Sequence, residues 1–110
     1  MSSELVQHSA SQRIAAAFDL AGDDLEFVGT FEEMRAMLIN RITELLSRNP
    51  EKLMAILYRI DVKEAAVNQI MSTSFPLEVP IHLADLIITR QLEKAQSRAD
   101  HAREQEESNS

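Results

Sequence analysis

The chain contains no cysteine and only two glycines and three prolines in 110 residues, and each shortage removes a class of protein. Without cysteine there is no disulfide framework, no cysteine-bound zinc and no thiol nucleophile. Two glycines are too few for a strand-and-turn architecture, whose tight turns need positive φ, or for a glycine-rich cradle that brings backbone amides against phosphate. No apolar run approaches the roughly 20 residues that span a bilayer. The N-terminus opens with Ser2, Ser3 and Glu4 and lacks a basic region followed by a sustained apolar stretch. A soluble cytoplasmic chain is therefore expected.

What the chain does have is apolar residues at helical spacing. Its length and 45% hydrophobic content fit one domain able to bury a core without covalent staples. The formal charge of −7 argues against a protein that coats nucleic acid or an anionic membrane, but the charge is unevenly placed. Residues 1–29 set Arg13 against five carboxylates and residues 100–110 set Arg103 against four, whereas residues 30–99 balance nine basic against nine acidic side chains. The acidity belongs to the ends, so a local basic surface on the body stays open.

Residues 1–9 are expected to be a flexible N-terminus, residues 10–98 a single helical domain and residues 99–110 an acidic, disordered tail without apolar anchors. A weak helix is expected from Ser9 or Ser11 to Ala21, stopped by Gly22, with Leu25–Gly29 as a connector. Thr30 and Glu33 have the spacing of a capping box. Beyond them Phe31, Met34, Leu38, Ile39, Ile42, Leu45 and Leu46 fall within about 140° of one another on a helical projection, which predicts an amphipathic helix. Asn49-Pro50 ends that helix and starts the next, because Asn caps well and Pro is tolerated at the first helical position. Leu53, Met54, Ile56, Leu57 and Ile60 form its expected buried stripe. Asp61 with Glu64 is read as the cap of a further short helix carrying Val62, Ala65, Ala66, Val67, Ile70 and Met71. Such short links imply an orthogonal bundle. Pro76 and Pro80 hold a loop open, and a last helix runs from about Pro80 to Ala99, apolar all round over Ile81–Ile88. That half is either central or an interface with another chain.

Candidate chemistry is sparse. Glu78, His82 and Asp85 lie close in sequence, yet a di-metal site built on helices uses paired Glu-x-x-His motifs and none occurs. Glu32 and Glu33 are adjacent and point to different faces, Glu51 and Glu64 have first-turn and capping roles, and no Ser stands in a G-x-S-x-G elbow. An enzyme is not expected, and neither a metal nor a cofactor is assigned. Tyr58 and the five methionines read as core or interface filler.

The segment Ala55–Met71 resembles the helix-turn-helix pattern: a helix, a tight turn followed by Val62, then a second helix with Val67 and Ile70 five and eight positions after that valine. Asp61 stands where that family usually has Gly in a left-handed turn. The resemblance implies that Lys63, Glu64, Asn68 and Gln69 face DNA, with Lys63, Asn68 and Gln69 making the contacts. The second helix has no Arg, although phosphate neutralisation dominates affinity.

At the level of the whole chain, the run Leu45-Leu46-Ser47-Arg48-Asn49-Pro50-Glu51-Lys52-Leu53, followed by Leu57-Tyr58-Arg59-Ile60-Asp61-Val62 and later by Leu83-Ala84-Asp85-Leu86-Ile87-Ile88, resembles a group of small bacterial all-helical proteins without an assigned function. That resemblance implies a bacterial, cytoplasmic setting and carries over no site residues.

These readings converge on an all-α, compact orthogonal bundle of four to five helices that serves as a non-enzymatic protein-interaction or regulatory module. The expected interface is Ile81, Leu83, Leu86 and Ile87 on the last helix, with an unidentified protein partner or a second copy of the chain, the latter through the last helix or the helix over residues 30–47. A helix-turn-helix DNA-binding module at residues 55–71 is the alternative, and a metal-dependent enzyme ranks third. No membrane partner is expected.

Overall fold

A computed structural model describes residues 2–22 and 26–109. Its described residues form five helices and no strand: α1 (Ser2–Phe18), α2 (Phe31–Arg48), α3 (Pro50–Arg59), α4 (Glu64–Thr73) and α5 (Val79–Asn109). The fold is all-α and compact, as the composition implies. None of the described helices is long and apolar enough to cross a membrane.

The N-terminus departs from expectation. Instead of a flexible stretch up to residue 9, α1 starts at Ser2, and Val6 and Ala10 are buried with Ile14 and Phe18. These four residues are spaced by four, so they stack into one row on a helix that packs against both α5 and α2. The helix also ends before Gly22. Asp19 takes the left-handed conformation at φ 59°, and the Leu20 amide donates to the Ala15 carbonyl at 2.9 Å. Arg41 of α2 donates to the Phe18 carbonyl at 3.2 Å and satisfies part of the open helix end. Residues 23–25, the last of which opens the expected connector, lie outside the described residues. Further along the connector, Phe27 is pinned to α1: Gln12 donates to its carbonyl and accepts from its amide, both at 2.7 Å.

The next two helix starts follow their sequence signals. The Thr30 hydroxyl accepts from the Glu33 amide at 3.0 Å, and the Asn49 side chain accepts from the Lys52 amide at 3.2 Å with Pro50 at the first helical position. The expected Asp61 cap of α4 does not form. Lys63 occupies the N-cap without a side-chain bond, and the Asp61 carboxylate turns instead to Arg90 on α5, 2.8 Å away.

α5 is the axis of the molecule. It packs against α1, α2 and α4, while α2 also packs against α1 and α3. At 31 residues it runs about 46 Å, most of the 52 Å long dimension. Leu83, Ala84, Ile87 and Ile88 are buried among Met34, Leu38, Ile42, Leu53, Leu57 and Val67. The helix does not give way at Ala99 to a disordered tail; it continues to Asn109. Polar links one turn apart accompany that extension, with Gln96 donating to Asp100 at 2.9 Å and Gln105 3.1 Å from His101.

Candidate docking surface at the α3–α4 corner

Most of the interface expected on the last helix is buried. Leu83 and Ile87 have no exposed surface, Leu86 is half buried and only Ile81 is exposed. A helix segment that is apolar all round belongs inside the bundle, and α1, α2 and α4 cover it. A broader open apolar surface lies at the α3–α4 corner.

α3 buries Leu53, Ile56 and Leu57 but turns Met54 and Tyr58 outward, at 41% and 88% exposure. Met54, read from sequence as core, projects from the flank of the stripe. Met54 and Tyr58 are one turn apart and form one wall of a groove of about 180 Å³. Its floor is Leu57, Val62 and Val67, and Glu64 at the start of α4 forms the facing rim. Met71, one turn beyond Val67, is also exposed, as are Phe75 and Leu77 in the connection to α5.

The groove exists because of how the corner is built. Asp61 sits at φ 64°, the left-handed conformation that its short polar side chain tolerates better than most. The Val62 amide reaches back to the Leu57 carbonyl at 3.1 Å, which closes α3 and drives the Val62 side chain inward. α5 then fixes the turn from behind. Gln91, 3% exposed, donates to the Ile60 carbonyl at 3.0 Å, and Arg90 donates through Nε to the Asp61 carbonyl at 3.1 Å. The Arg90 hydrogen bond, reinforced by the charges of Lys94 and Arg90, holds the Asp61 carboxyl below the usual carboxylate range.

Lys63, Asn68 and Gln69, the residues implied to touch DNA, are all exposed. The pieces weighed as metal ligands take separate partners. His82 Nδ1 lies 2.8 Å from Ser74 Oγ, and Asp85 accepts from Arg35 Nε at 3.0 Å and Nη2 at 3.3 Å. Among the described residues no three His, Asp or Glu side chains gather as a metal site.

Periodicity alone missed the groove, because it shows which residues share a helix face and not which face a neighbour leaves bare. The available signal was width: Leu53, Met54, Leu57 and Tyr58 make a broader apolar face than one seam covers. Comparison of the chain with family models, with curated proteins and with solved structures gives no match, so its function is argued from this surface alone.

Proposed function

We propose that this protein is a non-enzymatic interaction module whose α3–α4 groove receives an apolar segment of a protein partner. The observation that carries the reading is the open wall of Met54 and Tyr58 over a floor of Leu57, Val62 and Val67. A concave apolar floor flanked by an aromatic and a methionine suits an amphipathic helix that inserts one or two side chains. The links of one residue between α2 and α3 and four between α3 and α4 support the orthogonal arrangement expected from sequence, which would hold such a groove open. The setting is cytoplasmic in this reading, and the partner is a different protein or a second copy.

A photo-reactive residue tests it directly. Placed at position 58, it gives a discrete adduct in cells that Met54→Glu abolishes; placed at Ala102, exposed near the far end of α5, it gives none. Equal labelling at both positions, or none at 58, overturns the reading. The mass of the adduct separates a second copy from another protein.

One observation favours a second reading. Left-handed Asp61 with inward Val62 and Val67 and exposed Lys63, Asn68 and Gln69 is the arrangement a helix-turn-helix reader of DNA would need. Against it stands the absence of Arg from α4. Titration of random duplex DNA at about 50 mM salt decides, since phosphate-driven binding is strongest at low salt and its loss there ends this reading.

A further inference from the structure

Among the described residues three arginines are matched by carboxylates: Arg35 by Asp85, Arg41 by Glu44, and Arg90 by Asp61 and Glu93. The seam between α1 and α5 differs in bringing two arginines to one place. Arg13 stands one turn from Ser9 on α1, and Ser9 meets Arg98 of α5, so both guanidinia belong to this seam, and among the described residues neither has a carboxylate within ion-pair distance. Arg98 Nη2 donates to the Ser9 Oγ at 3.4 Å. Partial burial, followed by the charge of Arg13, draws the Arg98 pKa below its ordinary value. Two neighbouring guanidinia in a chain with 18 acidic residues against 11 basic ones form an unfavourable pair that an anion would relieve.

Beside this pair the seam opens into a groove of about 240 Å³. Leu5, Val6, Ala95 and Ala99 supply its apolar walls, and Ser9 and Arg98 close one end. Leu5, Ser9 and Arg13 succeed one another at one-turn spacing on α1, so the apolar, hydroxyl and cationic groups fall in line. Leu5 is 73% exposed, which leaves the groove accessible.

We propose that this seam binds a small carboxylate carried on a short aliphatic chain. The Arg98 and Arg13 guanidinia, with the Ser9 hydroxyl, take the carboxylate, and the chain lies along Leu5, Val6, Ala95 and Ala99. Planar guanidinium forks match carboxylate oxygens in pairs, and such charge-assisted bonds are about twice as strong as neutral ones. The groove is smaller than the roughly 300–1,000 Å³ of drug-sized sites, which limits the chain to a few carbons. It shares no residue with the α3–α4 groove and does not depend on that reading.

The test titrates the full chain with sodium hexanoate, hexan-1-ol and sodium sulfate and follows backbone amide shifts. Hexanoate is expected to give saturable shifts at Leu5, Ser9 and Ala99, while hexanol and sulfate bind much more weakly. Arg98→Gln and, separately, the exposed-site variant Arg13→Gln are expected to weaken hexanoate binding about tenfold, with helix content unchanged and melting of the free protein not lowered. Should Arg98→Gln fail to fold, Arg13→Gln carries the test. Hexanoate shifts that do not saturate by about 10 mM, or that are equal in a folded variant and the parent chain, overturn the proposal. Hexanol or sulfate binding as well as hexanoate overturns it too, the first showing an apolar patch and the second a bare charge site.

Discussion

The middle of α5 and the α3–α4 corner both read in sequence as dense apolar helix, and the fold treats them oppositely. Leu83 and Ile87 vanish into the core, whereas Met54 and Tyr58 stay in solvent. The difference is one of neighbours. α5 has α1, α2 and α4 around it, while α3 packs chiefly against α2 and is joined to α4 through the left-handed turn at Asp61. Apolar content alone therefore does not say which surface stays open; what leaves it open is apolar content without a neighbouring element.

The largest effect that could break this contrast is on stability. Leu83→Ala, which opens a cavity at a fully buried site, is expected to cost about 3 kcal/mol in denaturant unfolding, while Met54→Ala is expected to cost less than about 0.5 kcal/mol. Equal costs would mean that Met54 belongs to the core after all. Gly29→Ala comes next. A Cβ there would lie 2.9 Å from the tip of the Phe27 ring, and Phe27 is anchored by both bonds to Gln12, so the substitution should cost about 1–2 kcal/mol by the same measurement.

Smaller effects sharpen the account of the corner. Asp61→Gly should melt above Asp61→Ala, because glycine accepts φ 64° freely and alanine does not. The reverse order would show that the Arg90 pair, and not the backbone, decides this position. Asp61 also carries a pH signature. Its folded pKa is lowered, so its contribution is present at neutral pH, above the ordinary 3.8, and is lost as pH falls through the folded value. An NMR titration of the Asp61 carboxyl should have its midpoint below 3.8, and Arg90→Gln should move it upward. The smallest structural change is expected for Tyr58→Ser, which should leave the melting curve in place and yet weaken partner capture at the groove.

Much of the helical architecture was legible because its signals are local. Thr30 with Glu33 and Asn49 with Pro50 mark helix starts through bonds that close within three residues, and both side-chain caps form. The first turns of α1 were not legible, since the row of Val6, Ala10, Ile14 and Phe18 contains small residues whose burial depends on α5 nearly 90 positions away. The far end of α5 escaped for the opposite reason: it has no apolar anchor, and the bonds seen there join polar pairs that composition reads as tail. At the corner, the left-handed turn at Asp61 was foreseen as tolerable, but the capture of its carboxylate by Arg90 needed the third dimension. The apolar residues of the groove were visible one by one, and their exposure was not.

The grip of α5 on that turn makes the corner a lever. Gln91 and Arg90 hold two successive carbonyls, those of Ile60 and Asp61, so α3 and α4 cannot change their angle without displacing side chains in the long helix. A segment that wedges into the groove and widens it would therefore strain the same bonds, and loss of those bonds would in turn ease the widening of the groove. Coupling of that kind is reciprocal. It makes the exchange rate of the Val62 amide, which closes α3 onto Leu57, a natural gauge of occupancy on the far side of the turn.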